Sequence, residues 1–224
     1  GLGRAPGSDQ NTMRALRRDP MSADSFPQDV LELQGYLTGP TRIQGVEATP
    51  GKGTNVPLYI LGSSLFGARL AAQLGLPYAF ASHFAPNALQ DAVAVYRREF
   101  RPSGQLDAPH VIAGVNVIAA DSAAEAQAMF QATKRARVSL FFGNGRVFSD
   151  DEADMILDSP QGQHMAQMMK YSAVGTPEAV LAYLEEFTEH ADADELIVAH
   201  QSTGTEARLR SVELLADAAR LVRA

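Results

Sequence analysis

Short apolar runs alternate along the chain with longer segments whose apolar residues recur at helical spacing. The apolar runs are too short for helices and are bounded by breaker or polar residues, which predicts buried strands. With residues 1–3 as the tail of a further strand, the runs cover residues 58–61, 78–82, 110–120 and 195–199. Strands that alternate with helices indicate βαβ units, so the pattern predicts five parallel strands covered by helices.

Capping signals mark where several helices begin and end. A serine or threonine precedes three predicted helix starts, at Ser25, Ser122 and Thr176. The helix over residues 65–74 is predicted to end at Gly75, because glycine readily adopts the left-handed conformation of a C-terminal cap.

Polar side chains are concentrated where the predicted strands end. In parallel α/β sheets, ligands bind outside the carboxyl ends of the strands. These side chains are therefore expected to face one common surface. They are Arg4, Ser63, Ser64, His83, Asn116 and His200, with Gln201 and Ser202 beside the last of them.

The Gly62-Ser63-Ser64 turn lies between a predicted strand and a predicted helix. Backbone N–H groups and the positive end of the helix dipole meet there, which favours an anion, and two hydroxyls suit a phosphate. The alternative is that one serine simply caps the helix.

Arg4 could bind a phosphate with two hydrogen bonds, or it could be a solvated surface residue. Its segment, GLGRAPG, lacks the glycine spacing of a dinucleotide-binding fingerprint.

Two histidines, His83 and His200, could act as acid or base near neutral pH, or each could be a hydrogen-bonded residue at a strand end. No group of histidines and carboxylates has metal-ligand spacing, so no metal site is predicted. The carboxylates around Asp150 are interpreted as a solvated helix start. Three methionines could line a pocket or fill the core, and the core is the preferred interpretation: Met165, Met168 and Met169.

Composition limits the classes of protein that the chain can represent. Its 224 residues are 46% hydrophobic, with a formal net charge of −7 and no cysteine. A single soluble domain in the cytoplasm is expected. The acidic balance argues against nucleic-acid binding, and no apolar run approaches the length of a membrane span. The first residues lack the pattern of a signal peptide.

Four segments together resemble the bacterial-luciferase-like family of flavin-dependent monooxygenases. They occur in the family's order and cover nearly the whole chain. The stretch from GSS to HFAP is the most specific of them. The segments read GLGRAPGSDQ with RALRR, PLYILGSSLFGARLAAQLGLPYAFASHFAP, VGTPEAV and EARLRSVELLAD.

The resemblance implies a (β/α)₈ TIM barrel, of which residues 1–224 would be a single domain covering about strands four to eight. The first three βα units are then expected to be missing. The family binds reduced FMN at the carboxyl ends of the strands, which assigns cofactor-phosphate contacts to Arg4 and to Gly62, Ser63 and Ser64. The polar segment 143–169 falls where the family has a mobile loop over the active site.

The function implied by the resemblance is oxidation of a small organic substrate by O2 and reduced FMN, which a separate flavin reductase supplies. His83, Asn116 and His200 would line the substrate pocket. The open sheet edges of a shortened barrel favour a homodimer. Two alternatives stay open: a non-catalytic flavin-binding protein built from a shortened barrel, and a hydride-transfer oxidoreductase that uses a deazaflavin.

Overall fold

The computed structural model describes residues 1–5, 10–17, 19–39, 41 and 43–220. These residues cluster into two compact units. The first combines Gly1–Ala79 with Asp91–Val111, and the second combines Phe80–Gln90 with Ile112–Ala224. Arg18, the last residue of the RALRR segment, and residues 221–224 lie outside the described residues. Within the described part of the chain, no helix is both long and apolar enough to span a membrane.

The first unit begins with two adjacent parallel strands, and its elements follow the predicted order. Strand β1 pairs with β2 through Leu2↔Ile60 and Gly3↔Leu61. The Ile60 N–H donates to Pro77 O at 3.0 Å, which links β2 to the start of β3. Elements that lie wholly or mostly in this unit are β1 (Leu2–Gly3), α1 (Gln10–Ala15), α2 (Phe26–Thr38), β2 (Ile60–Gly62), α3 (Leu65–Leu74), β3 (Tyr78–Phe80) and α4 (Leu89–Glu99).

Gly75 ends α3 as the sequence predicted. Its φ is +62°, in the left-handed region, and its N–H donates to Ala71 O and Ala72 O. The following residue lies against Tyr96 of α4, whose hydroxyl donates to Leu76 O at 3.0 Å. The same hydroxyl accepts from the His110 N–H at 3.0 Å. One buried tyrosine therefore ties the end of α3 to the residue that precedes β4.

The second unit is built around β4, whose nine residues are all buried. Asn116↔Ser172 begins its parallel pairing with β5, and Ile112↔Glu195 begins its parallel pairing with β6. Elements that lie wholly or mostly in this unit are β4 (Val111–Ala119), α5 (Ala123–Phe142), α6 (Asp150–Leu157), α7 (Pro160–Gln167), β5 (Ser172–Gly175), α8 (Pro177–Ala191), β6 (Glu195–His200) and α9 (Thr205–Ala218).

The predicted count of five strands is wrong, because the described residues contain six. The missed strand is β5, four residues long, which lies directly before the helix cap at Thr176. A run so short gives too little period-two pattern to distinguish a strand from a loop. Its strand conformation comes from pairing with the end of β4.

Segment 143–169, predicted as a polar insertion, contains two helices. Ser149 forms a capping box with Glu152 at the start of α6, and Ser159 accepts from the Gly162 N–H at the start of α7. Val138 of α5 packs with buried residues of both helices, Ala153 and Met165. Helices α5, α6 and α7 thus share a small core of their own. The mobility of this segment stays a prediction.

The structure tests two interpretations in this segment, that its methionines are core residues and that its carboxylates are a solvated helix start. Met165 and Met169 are buried, which confirms them as core residues, whereas Met168 is less buried; both Met165 and Met168 line a cavity. The acidic helix start is not simply solvated. Asp150 and Asp154 both accept from Arg135, which pairs α6 electrostatically with α5.

Candidate functional site

The turn after β2 presents a helix start to solvent. Ser64 occupies the cap position of α3 with φ −149° and ψ 162°, yet its side chain makes no capping hydrogen bond. Ser63 and Ser64 are both exposed. The first N–H groups of a helix have no partner within the helix, and the dipole adds positive potential there. The turn therefore offers backbone donors and two hydroxyls to an anion, and the capping alternative for Ser64 is not supported.

The side chain of Tyr78 fixes the backbone of this turn. Its hydroxyl donates to Ser64 O at 3.0 Å. A Cβ built at Gly62 or Gly67 would lie 3.7 or 3.4 Å from Tyr78 Cε2, so the ring fits closely against both glycines. Burial raises the pKa of Tyr78, which keeps the hydroxyl protonated and able to donate. The backbone of the turn is thus fixed before any ligand arrives.

Arg4 lies at this same turn. Its guanidinium carbon is 4.0 Å from the centroid of the Phe66 ring, and Phe66 is the second residue of α3. A guanidinium over an aromatic ring is held by a cation–π contact and keeps N–H donors for a further ligand. Arg4 is exposed but is also held by an aromatic ring, which separates it from an ordinary solvated arginine. The Arg4 guanidinium, the backbone N–H groups of the turn and the two serine hydroxyls are together suited to binding a phosphate group.

The predicted pocket residues all belong to the second unit, but Asn116 does not lie where the sequence placed it. It was predicted at a strand end and instead lies within β4, where it is buried. Its Nδ2 donates to His83 O at 2.7 Å and to Tyr171 O at 3.4 Å. Its Oδ1 is buried and has no hydrogen-bond partner among the described residues. Asn116 thus fixes the backbone of the His83 turn.

His83 lies in the turn that follows β3, with its ring above Gly114 of β4. A Cβ at Gly114 would come within 2.4 Å of His83 Nδ1. Burial, and then the positive charge of Arg137, lower the pKa of His83. The ring is therefore neutral at pH 7 and can accept or donate one proton.

His200 ends β6 and supports the structural alternative. The Ala119 N–H donates to Ser211 Oγ at 2.9 Å, and Ser211 Oγ is 2.8 Å from His200 Nδ1. If the serine hydroxyl donates to Nδ1, the proton of the neutral ring lies on Nε2. Burial lowers the pKa of His200. Its ring is consequently held by α9, and in this tautomer Nε2 carries the proton and can donate a hydrogen bond.

Sequence reasoning missed Arg137 of α5. Its guanidinium donates to Gln201 Oε1 at 3.3 Å, and it is one of the two causes of the lowered His83 pKa. In the sequence it is one of several cations on a long helix, and only the fold brings it to His83 and Gln201. No group of three or more potential metal ligands occurs among the residues described.

Replacing Gly114 by alanine should displace His83. The added Cβ would clash with Nδ1, and overpacking of this kind costs about 1 to 3 kcal/mol in the free energy of unfolding. A ring pushed towards water should also recover a pKa closer to that of a free histidine. Urea denaturation and NMR titration of the His83 ring measure the two effects.

Gly104→Ala is the matched control for Gly114→Ala, because a Cβ there meets nothing within 4 Å. It should change neither the stability nor the pKa of His83. An unchanged His83 pKa in Gly114→Ala would contradict the close contact.

Comparison with known proteins identifies the family. Residues 23–195 match the family model described as luciferase-like monooxygenase. The chain belongs to the luciferase-like monooxygenase family. It is 43% identical over 221 residues to a luciferase-like monooxygenase of Escherichia coli (strain K12), covering 97% of this chain and 66% of that protein. The chain thus spans about two thirds of the length of this curated relative.

Solved structures confirm the fold that the resemblance implied. The crystal structure of apo-MsnO8 superposes with a TM-score of 0.83 and 30% identity, covering 100% of this chain and 68% of that one. A coenzyme F420 dependent tetrahydromethanopterin reductase from Methanopyrus kandleri shares the fold, with a TM-score of 0.56 and 17% identity over 95% of this chain and 71% of that chain. This luciferase-like chain therefore has an α/β fold of the TIM-barrel type.

Proposed function

We propose that this luciferase-like protein is an FMN-dependent monooxygenase. The observation that carries the proposal is the turn after β2, where Arg4 lies over the Phe66 ring beside the Gly62-Ser63-Ser64 turn, whose two serines are exposed. Family membership supports the reaction class, an oxidation of a small organic substrate with O2. Reduced flavin, when bound, supplies the electrons for that chemistry.

The residues of the turn would bind and orient the cofactor through its phosphate. The guanidinium of Arg4 neutralises charge and offers two parallel hydrogen bonds. Backbone N–H groups after Ser63 and Ser64 supply donors whose positions do not depend on side-chain rotamers. Tyr78 keeps these donors fixed through its bond to Ser64 O, so little ordering entropy is lost on binding.

The polar residues of the second unit would face the substrate. His83 is neutral and partly shielded from water, and the Asn116 amide holds its backbone. Ser211 holds the His200 ring through Nδ1, which leaves Nε2 free to donate to or accept from a substrate atom. These groups can orient a polar substrate atom and hold a proton near it, which are positioning roles.

The partners of the proposed enzyme follow from its chemistry. A separate flavin reductase would supply reduced FMN, and O2 is the co-substrate. The reaction is proposed to occur in the cytoplasm, because a chain without cysteine needs no oxidising compartment. A homodimer is proposed because β6 carries exposed apolar residues, among them Ile197 at 61% exposure.

A second candidate is hydride transfer with a deazaflavin. The fold shared with an F420-dependent reductase favours it. Both candidates use the same phosphate turn, so phosphate binding does not separate them. Oxygen consumption during turnover does, because the deazaflavin reaction consumes none.

Arg4→Ala should weaken FMN binding by about 1 to 3 kcal/mol, roughly 5- to 150-fold, because charge-assisted hydrogen bonds to the phosphate are lost. Ser64→Ala should cost less, since the backbone donors remain. Fluorescence quenching of FMN by the full chain measures the dissociation constants. Riboflavin, which lacks the phosphate, should bind Arg4→Ala and the unsubstituted chain equally.

Arg69→Ala provides a matched control. Arg69 is also an exposed arginine, but it belongs to α3 and lies beyond the turn. Its FMN affinity should not change. An Arg4→Ala variant that binds FMN normally, or that loses riboflavin as much as FMN, would refute the phosphate assignment.

A further inference from the structure

Arg137 differs from three other arginines of the second unit in the groups that surround it. Arg135, Arg146 and Arg210 each form ion pairs with carboxylates. The one hydrogen bond of Arg137 to a described residue is the donation to Gln201 Oε1, a neutral acceptor, at 3.3 Å. Arg137 is half-buried, and burial lowers its pKa. A partly desolvated guanidinium with a neutral partner is stabilised strongly when a carboxylate reaches it.

The surroundings of Arg137 would favour a negative ligand. His83 is near enough for the Arg137 charge to lower the His83 pKa. The His83 ring is therefore neutral at pH 7 and does not compensate the positive charge of Arg137. Gln201 accepts from the guanidinium through its amide oxygen but carries no charge. A planar guanidinium keeps several donors after one such bond, enough for two-point contact with a carboxylate.

An apolar cavity begins one helical turn beyond Arg137. Residues four apart on a helix lie on the same face, about 6 Å apart, which places Phe141 next to Arg137 along α5. Phe141 lines a cavity of about 520 Å³ between α5 and α7, a size typical of small-molecule sites. Its lining is largely apolar and includes Phe142, Pro160, Met165 and Met168. Arg137 and a residue that lines the apolar cavity therefore lie on successive turns of α5.

We propose that the second unit binds a small amphipathic carboxylate, with the carboxylate on Arg137 and the apolar body in the cavity between α5 and α7. This assigns a substrate class to the proposed monooxygenase and to that extent rests on the proposed function. Arg137 would fix the end of the molecule, and the phenylalanines and methionines would select for an apolar body. The flexible methionine side chains allow bodies of different shape.

Octanoate and octanamide are suitable probes, because they have the same chain and differ in charge. Ligand-observed NMR with the full chain gives both dissociation constants without flavin. Octanoate should bind about 10- to 100-fold more tightly than octanamide, the range expected for a charge-assisted pair. Arg137→Gln should abolish this preference, and Arg137→Lys should restore part of it. Phe141→Ala should weaken both probes by the same factor.

Lys134→Gln is the matched control, because it removes one positive charge from the same helix at a side chain that lies over Phe130. It should preserve the preference for octanoate. Equal binding of the two probes to the unsubstituted chain, or a preference that survives Arg137→Gln, would overturn the proposal.

An FMN titration of the same variants separates this proposal from the proposed function. Arg137 is not one of the residues assigned to the phosphate turn, so Arg137→Gln should bind FMN normally. If Arg137→Gln weakens FMN and leaves octanoate unchanged, the anion on Arg137 belongs to the cofactor and the carboxylate proposal fails. If Arg4→Ala fails its own test while octanoate selectivity holds, only the cofactor assignment is lost.

Discussion

Replacing Gly75 by alanine is expected to lower the free energy of unfolding by about 3 to 4 kcal/mol. Gly75 has a φ of +62°, where an L-residue is strained. The added Cβ would also lie 2.5 Å from Arg101 O and 2.5 Å from Ser103 Cβ. A backbone carbonyl cannot rotate away as a side chain can, so the loop after α4 would have to move.

Gly53→Ala separates the two causes of that loss. Gly53 has a φ of +77°, but a Cβ there meets nothing within 4 Å. It should lose only the conformational part, about 1 to 2 kcal/mol. Urea denaturation of both variants gives the comparison. Equal losses would show that the contact with Arg101 and Ser103 contributes nothing.

Tyr96→Ala should have an effect of similar size, a loss of about 4 kcal/mol in the free energy of unfolding. The side chain is 0% exposed, and its ring packs against those of Tyr78 and Phe100. Its removal would leave a cavity. It would also leave the carbonyl of Leu76 and the N–H of His110 without their bonds to the hydroxyl.

Tyr96→Phe is the matched variant, because it keeps the ring and removes only the hydroxyl. It should lose about 1 to 3 kcal/mol, the cost of leaving buried polar groups unsatisfied. Thermal and urea unfolding followed by circular dichroism measure both variants. If phenylalanine costs as much as alanine, the hydrogen bonds outweigh the packing, contrary to our expectation.

Helix ends were the part of the fold that the sequence predicted best. Gly75 was predicted to end a helix and does so in the left-handed conformation. Ser122 and Thr176 were predicted as caps, and each accepts a hydrogen bond from an N–H three residues later. Caps depend on residues within one turn of each other, so the information is local in the sequence.

Strand assignments depended on contacts that are distant in the sequence. β5 was missed because its conformation is set by pairing with β4, more than 50 residues away in the paired register. Asn116 was expected at a strand end but lies inside the buried strand β4, where polar residues seldom occur. Its amide is instead accommodated by two backbone carbonyls, those of His83 and Tyr171.

In the candidate sites too, features that are local in the sequence were predicted, whereas contacts between distant residues were not. The turn at Gly62-Ser63-Ser64 is contiguous in the sequence and was found there. The stacking of Arg4 on Phe66 joins residues 62 positions apart, and the sequence pattern by itself does not indicate it. Arg137 was missed for the same reason, since its neighbours His83 and Gln201 are brought to it by the fold.

The burial of β4 also limits how this protein can evolve. All nine residues of the strand are buried, and Gly114 leaves His83 no space for an added methyl group. Single substitutions there would be selected against before any new activity appeared. Phe141 is 50% exposed and Phe142 is 38% exposed, so their replacement disturbs little packing. If the cavity between α5 and α7 binds substrate as proposed, its specificity can change at Phe141 and Phe142 more readily than at any residue of β4.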